Sequence, residues 1–524
     1  PSAAQETPVS VTRAVLDRDP AMCSGAFVRH ELAHVTETGT EEVRMFASNG
    51  AGLAVNDLDD DGDEDIVLAN LADPNTVLWN EGGLRFRKQE LSHGDSRGVA
   101  IVDVDADGQR DVIFTRHTLP PTIWINGGEG KLLESVLPGV EGKLWAMNWG
   151  DLDADGDLDM VGGAYDAGLE KDLGYSFMFT RSGGGVYFYE NLGDSFGYNK
   201  LSERSEALAV ALYDTDQDGA SEILVGNDFD LPDQSWKRTV EGWTLARPFA
   251  RTSHSTMSFD AGDIDNDGDL ELFSTDMKPY YQDVRTLAKW RPLVTRMPHE
   301  TFRGDPQIME NVLQVRRGEG KYRNEAYARD ADATGWSWSG KFGDLDMDGY
   351  LDLYVVNGML ATDLFDYLPE RELIEENQVL RNVGGRRFER KPEWGLGSTA
   401  SGRGMTQADL DRDGDLDIVV NNLAKPAELF ENQLCEGRGM LVELRWPNSK
   451  NTSAVGASVL LHTSTGVYRR DVGVASGYLS GEPATLHFGI PDGAQPQRFE
   501  VRWPDGKVSF ISDLSPQTEL VVTR

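Results

Sequence analysis

The sequence predicts an all-β chain: a seven-bladed β-propeller with acidic loops, followed by a small C-terminal β domain. Three observations carry this. An Asp-rich loop is written seven times, beginning at Asp57, Asp103, Asp151, Asp214, Asp263, Asp344 and Asp409, and each copy runs into an apolar strand. A second phrase recurs between the loops, a run of β-branched or aromatic residues that stops at an Asn/Gly turn, as in Val77-Leu78-Trp79-Asn80-Glu81-Gly82. After Cys435 the Asp loops cease and the chain alternates as an antiparallel domain does, in Leu441-Val442-Glu443-Leu444-Arg445-Trp446.

The clearest loop reads Asp151-Leu152-Asp153-Ala154-Asp155-Gly156-Asp157-Leu158-Asp159, then Met160-Val161. Calcium takes roughly six to eight hard oxygens in a flexible cage, with a tight turn to aim them inward. Carboxylates at positions 1, 3, 5 and 9, a backbone carbonyl at position 7 and Gly at position 6 supply that geometry. A single copy reads equally well as a solvated acidic turn; seven copies, each leading into a strand, do not. The expected ligand positions are Asp57, Asp59, Asp61, Asp63 and Asp65 in loop one, and Asp103, Asp105, Asp107, Gln109 and Asp111 in loop two. Loop three offers Asp151, Asp153, Asp155, Asp157 and Asp159, and loop four Asp214, Asp216, Asp218, Ala220 and Glu222. Loop five offers Asp263, Asp265, Asp267, Asp269 and Glu271, and loop six Asp344, Asp346, Asp348, Tyr350 and Asp352. Loop seven offers Asp409, Asp411, Asp413, Asp415 and Asp417, which makes about seven structural Ca2+ sites in all. A carbonyl at position 7 explains why Gln109, Ala220 and Tyr350 are tolerated there. Glu222 and Glu271, one methylene longer than Asp at position 9, make loops four and five the least regular.

Asp57 and Asp103 lie 46 residues apart, close to the period of a four-stranded propeller blade. Each unit holds an Asp loop, a strand such as Asp65-Ile66-Val67-Leu68-Ala69, a connection and a hairpin. The hairpin phrase returns at Ile123-Trp124-Ile125-Asn126, at Val186-Tyr187-Phe188-Tyr189-Glu190-Asn191 and at Val379-Leu380-Arg381-Asn382. One such sheet cannot bury both faces; seven packed radially bury one another.

These units resemble the FG-GAP or VCBS repeats of calcium-binding β-propellers, over most of residues 25 to 435. The longest interval, between Asp263 and Asp344, is an insertion. Its stretch Asp283-Val284-Arg285-Thr286-Leu287-Ala288-Lys289-Trp290 has helical spacing and reads as a helix packed on the rim or as a partner-binding loop. Beyond Gly439, four phrases resemble the ASPIC/UnbV domain in order and spacing. They are Val455-Gly456-Ala457, Ser476-Gly477-Tyr478-Leu479-Ser480, Leu486-His487-Phe488-Gly489 and Val501-Arg502-Trp503-Pro504-Asp505-Gly506. With Trp336-Ser337-Trp338 before the sixth loop, the chain resembles the cartilage acidic protein 1-like family. That resemblance implies a secreted calcium-binding protein and no defined reaction. The expected division is an N-terminal extension over 1–22, the propeller over 23–437 and the β domain over 438–524.

The chain of 524 residues has 50 Lys plus Arg against 88 Asp plus Glu, a formal charge of -38. No basic stripe offsets this field, so nucleic acid is not an expected partner. The metal-free chain is expected to be strained by self-repulsion that bound divalent ions would relieve. No apolar run reaches the length of a membrane-spanning helix. The opening Pro1-Ser2-Ala3-Ala4-Gln5 reads as a mature secreted chain, extracellular or periplasmic, or as a trimmed one. Two cysteines, Cys23 and Cys435, flank the repeats. They are either two buried thiols or a disulfide; ring closure and an oxidising compartment favour the disulfide.

His30-Glu31-Leu32-Ala33-His34 spells the HExxH zinc signature. Its surroundings are strand formers, and on a strand the two His lie roughly 13 Å apart, too far to share one zinc. Trp145, Trp149, Trp336 and Trp338 precede Asp loops and are expected between blades, with ligand stacking on a propeller face as the alternative. His254 reads as a hydrogen-bonded core His, or as an acid or base if it lies at the axis. Asn451-Thr452-Ser453 is a glycosylation sequon. No nucleophile elbow, P-loop or dinucleotide fingerprint occurs.

Three functions fit. The first is a non-enzymatic, calcium-rigidified platform that binds a protein or glycan. The second is a calcium-dependent lyase or cyclase with its pocket at the propeller axis, since fold alone does not exclude catalysis. The third is an accessory subunit of a larger extracytoplasmic complex. An open axial pocket favours the enzyme, and a plugged axis favours binding.

Overall fold

The computed structural model describes residues 5–18, 22–91, 94–165, 184–229, 231–296, 306–318 and 320–524. Seven antiparallel sheets of four or five strands contain the repeats. Their first strands are Leu53–Asn56, Ser96–Val102, Ala146–Gly150, Ala207–Tyr213, Phe259–Gly262, Gly335–Gly343 and Gly402–Ala408. Each touches the first strand of the next sheet, and Gly402–Ala408 touches Leu53–Asn56, so the sheets close into a ring. Each Asp loop joins the first strand of its sheet to the second. Second strands such as Asp65–Leu68 and Asp417–Asn422 are buried along their length, because neighbouring sheets cover both faces. Fourth strands on the perimeter, such as Phe86–Leu91 and Leu132–Val136, are largely exposed.

The ring is closed by its ends. The seventh sheet takes its outer strand, Phe27–Val35, from before the first repeat; it runs antiparallel to Pro426–Asn432, with Phe27 opposite Asn432 and Glu31 opposite Glu428. Cys23 and Cys435 are disulfide-bonded beside this pairing, with Cα atoms 5.6 Å apart. The insertion contains a helix, Val284–Arg296, whose first turn is capped by Asp283 accepting from the Arg285 and Thr286 amides. Trp290 buries the helix against Trp336, so this stretch packs on the propeller.

The C-terminal region has its own core of Met440, Val442, Phe488, Phe499, Val501 and Trp503 between two four-stranded sheets. The first sheet is completed from the opposite end of the chain: Ser10–Val15, within the expected N-terminal extension, pairs with Thr518–Thr523.

A hairpin of this region, Ala475–Ser476 and Ser480–Gly481, enters the ring. Its partners come from four sheets. Leu479 O accepts from Val99 N at 3.1 Å and Phe259 O from Gly477 N at 2.7 Å. Ala475 O accepts from Asn148 Nδ2 at 2.9 Å and Ser480 Oγ from Met405 N at 3.1 Å. Tyr478, at the tip, is fully buried and donates to Asn49 O at 2.9 Å. Trp338 packs on it at 5.0 Å, with the Arg403 guanidinium 4.3 Å over that indole. The centre of the ring is filled by side chains, not open.

Candidate metal centres

All seven Asp loops fold alike. Position 4 is left-handed in every copy, from Asp60 through Arg412, with φ between 54° and 63°. Position 6 is Gly at φ of 88° to 96°, a conformation that L side chains rarely adopt. The amide of position 7 donates to the carboxylate of position 5 in all seven, from 2.8 Å for Gln109 to 3.1 Å for Asp157. The side chain at position 7 takes no part in this bond, so Gln109, Ala220 and Tyr350 leave the turn intact. The carboxylate at position 9 accepts the amide of position 2 in every loop, as Asp65 does from Leu58 at 3.1 Å and Glu222 from Thr215 at 2.6 Å.

This folding gathers oxygens. Ligand atoms of Asp57, Asp59 and Asp61 lie within 4.8 Å of one another, as do those of Asp103, Asp105 and Asp107. The same holds for Asp151, Asp153 and Asp159, for Asp214, Asp216 and Asp218, and for Asp263, Asp265 and Glu271. The sixth and seventh loops have the same backbone.

Sequence reasoning missed one recurring partner. The Asn that ends each hairpin phrase holds the position 9 carboxylate. Asn80 N donates to Asp65 at 2.8 Å, Asn126 N to Asp111 at 2.9 Å and Asn191 N to Asp159 at 3.0 Å. Asn382 N reaches Asp352 at 2.7 Å and Asn432 N reaches Asp417 at 2.8 Å. The signal was present, because the same Asn recurs in the second phrase. In loops four and five, where position 9 is Glu, the equivalent residues are Arg238 and Arg316.

Burial sets the electrostatics. Desolvation pushes the Asp65 carboxyl up to about 8, Asp111 and Asp159 to about 7, and Glu271 to about 9. Oδ1 of Asp57, Asp59, Asp151, Asp265 and Asp344 is buried with no hydrogen-bond partner. Orphaned carboxylate oxygens are costly unless a cation or proton satisfies them. Clustered hard oxygens around a left-handed turn fit the chemistry of a calcium ion, with side chains at positions 1 and 3 and either 5 or 9 gathered in the five loops above.

The C-terminal region docks on the loops themselves. Lys450 Nζ lies 2.9 Å from Asp157 Oδ2, and Thr452 Oγ1 donates to Asp103 Oδ2 at 2.5 Å. Arg469 donates to Gly268 O at 2.9 Å, His487 Nε2 to Gly414 O at 3.1 Å, and Gln517 to Asp413 O. His487 and Thr452 stand in phrases singled out in the sequence, but neither phrase points to contact with an Asp loop.

The remaining candidates are structural. His30 and His34 lie on the strand Phe27–Val35; His30 faces Glu431 at 2.7 Å and buried His34 faces Thr76 at 2.9 Å. Trp145, Trp149, Trp336 and Trp338 are all buried. The His254 amide donates to Asp276 at 2.7 Å, and its ring meets Ser255 at 3.3 Å. Asn451 is buried, with both ends of its side-chain amide bonded to Val455 at 2.8 Å, so this sequon is closed to glycosylation in the folded chain.

A ring of repeated sheets with acidic loops, and a second β domain seated on those loops, defines the class. Known proteins agree with both parts. The ASPIC and UnbV family matches residues 443–524, and the FG-GAP-like repeat family matches residues 57–114, 103–162 and 370–420. The chain therefore carries FG-GAP-like repeats and an ASPIC and UnbV domain. It is similar to cartilage acidic protein 1 of Xenopus tropicalis, 33% identical over 121 residues, which cover 22% of this chain and 18% of that protein. It is also similar to cartilage acidic protein 1 of Mus musculus, 28% identical over 186 residues, covering 32% and 28%. These alignments span less than a third of either relative. Among solved structures, BBS1N in complex with ARL6DN, soaked with mercury, superposes with a TM-score of 0.44 at 9% identity, over 78% of this chain and 96% of that one. The lead-soaked crystal of the same complex gives a TM-score of 0.39 at 8% identity.

Proposed function

We propose that this chain is a secreted, calcium-rigidified binding platform whose outer loops and faces engage a protein or glycan. The observation that carries it is the axial hairpin. Tyr478 and its neighbours occupy the place where a propeller enzyme would hold its substrate, so the available surfaces are the rim and the outward faces. Calcium is the structural ion. In loop three, Asp151, Asp153, Asp155 and Asp159 would supply side-chain oxygens and Asp157 its carbonyl, its carboxylate being engaged by Lys450. When bound, the ion neutralises carboxylates that burial otherwise penalises. The disulfide suits an oxidising compartment outside the cytosol. No helix among the described residues is long and apolar enough to cross a membrane.

The test is a binding assay on immobilised protein from its native source, run in millimolar calcium and again in chelator, with bound calcium measured alongside. The expected result is partner or glycan retained in calcium and lost in chelator. Retention unaffected by complete removal of the metal would overturn the calcium-rigidified part, and no retention in either buffer would overturn the platform.

A further inference from the structure

Basic side chains reach one expected side-chain ligand each in three loops, Lys450 at Asp155, Arg329 at Asp265 and Arg18 at Asp413, but one loop holds a cation among three. In the fourth, the ammonium of Lys237 lies among the expected ligands: it contacts Asp216, reaches Asp218 Oδ2 at 2.8 Å and Glu222 Oε1 at 3.7 Å. These are positions 3, 5 and 9. An ammonium has three donors, and here three carboxylates surround it. The other oxygen of Glu222 is taken by the Thr215 amide at 2.6 Å and its hydroxyl at 2.5 Å. Asp214 is held by the amides of Asp218 at 3.3 Å and Gly219 at 2.9 Å.

The placement follows from the strand register. Ile223 pairs with Trp236, so the next step sets Lys237 opposite Glu222, the position 9 residue. The same register in the other sheets places Trp79, Ile125, Glu190, Val315, Arg381 and Glu431 there. Only Arg381 is also basic, and it differs. Its guanidinium meets Asp346, and Asp348 at 2.9 Å, but neither Asp344 nor Asp352. In that sixth loop Asp344, Asp346 and Asp352 are all buried, so one delocalised charge leaves most of the demand unmet. In the fourth loop the Asp216 and Asp218 side chains are 40% and 48% exposed, and water can share the load. Among the described residues, no carboxylate oxygen of the fourth loop is buried without a partner, which is also true of the second loop but not of those holding Asp57, Asp151, Asp265 and Asp344. The loop also lacks the Asn that holds position 9 in five others.

We propose that the fourth loop is filled from within: the Lys237 ammonium, not a divalent ion, is its resident cation, and the ring takes one ion fewer than its seven loops suggest. This rests on the calcium reading of the other loops. A calcium ion entering here would have to expel the ammonium and then sit beside it, paying both the lost ion pairs and the repulsion between two cations.

The experiment counts calcium per chain by native mass spectrometry, at matched millimolar calcium, for the wild type, Lys237→Gln, Lys237→Arg and Asp218→Asn. The expected result is one more ion on Lys237→Gln than on the wild type, and the wild-type count on Lys237→Arg and Asp218→Asn. Equal counts on wild type and Lys237→Gln, or the loss of one ion on Asp218→Asn, overturns the inference. Asp218→Asn keeps the test decisive if Lys237→Gln does not fold. Zero ions on every chain overturns the calcium reading itself, whereas equal nonzero counts sink this inference alone.

Discussion

The side-chain amide of Asn80 donates to the carbonyl oxygen of Leu410 at 2.8 Å, tying the first sheet to the Asp loop of the seventh. The same bond recurs around the ring. Asn126 reaches Leu58 O at 2.7 Å, Asn382 reaches Ile264 O at 2.7 Å and Asn432 reaches Leu345 O at 2.9 Å. Where the Asn is missing, Arg238 reaches Leu152 O at 2.8 Å and Tyr322 reaches Thr215 O at 3.0 Å. Asn80, Asn126, Asn382 and Asn432 thus each hold the position 9 carboxylate of their own loop by the backbone amide and the preceding loop by the side chain. An ion bound in one loop would stiffen its neighbour through this contact.

Replacing Asn432 by Ala should therefore cost more than a surface change. It leaves the buried carbonyls of Leu345 and Leu416 without their donor, a loss of about 1–3 kcal/mol. Chemical denaturation should show that loss, and calcium titration should show weaker binding at two adjacent loops. A variant as stable as the parent would refute the clamp.

Replacing Tyr478 by Ala should empty the axis. For a fully buried aromatic the cost is about 3–5 kcal/mol. Adding bulk nearby should act similarly, since a Cβ at Gly52 would lie 1.7 Å from Leu479 O, so Gly52→Ala must push the hairpin out. Limited proteolysis should then cut between the propeller and the C-terminal region, where the parent resists. An unchanged digestion pattern for both variants would argue against the hairpin as an anchor.

Much of the ring was legible because the loops repeat. Position 6 must be Gly, and carboxylates at odd positions have few uses besides a cation, so each loop declared itself locally. The Asn of the hairpin phrase was visible but was read only as a turn, since its second partner lies in another sheet. The axial hairpin was not legible in its role. Tyr478 stands in a recognisable phrase, but its contacts to Asn49, Ser339 and Trp338 link residues far apart in sequence, and periodicity reports only neighbours. The ammonium in the fourth loop was hidden likewise, because Lys237 reaches Asp216 and Asp218 only through strand register.

In chelator, stability should fall as pH rises from 7 to 9. The carboxyls of Asp65 and Glu271 sit at about 8 and 9 in the folded chain because burial disfavours their charge, and near 4 when unfolded. A folded pKa above the unfolded one contributes stability that is complete below the unfolded value and lost progressively up to the folded value, so pH 7 to 9 covers the last part of the loss. The melting temperature of the metal-free chain should drop over this window, and millimolar calcium should flatten the dependence. A metal-free melt that rises from pH 7 to 9 would contradict the burial argument.

Reducing the Cys23–Cys435 bridge, or replacing both residues by Ser, should lower stability without opening the ring at once. The bridge spans 412 positions, for which the chain-entropy model gives on the order of 5 kcal/mol as an upper figure. Pairing of Phe27–Val35 with Pro426–Asn432 still holds the seam. Thermal melts with and without reductant should differ by several degrees, with native circular dichroism kept at room temperature. Complete unfolding on reduction would mean that the strand contributes little.

The strand Ser10–Val15 has a consequence for how the protein is made. Ser10 finds Thr523, 513 positions downstream, and Phe27–Val35 finds a partner only in the last repeat. Each of these segments thus waits for a partner made some hundreds of residues later. Until then the seventh sheet lacks its outer edge, and the C-terminal sheet does not yet exist. The repeats are therefore made with apolar strands uncovered, and the ring can gain its last edge once Pro426–Asn432 is made, ahead of the C-terminal sheet, which waits for Thr518–Thr523.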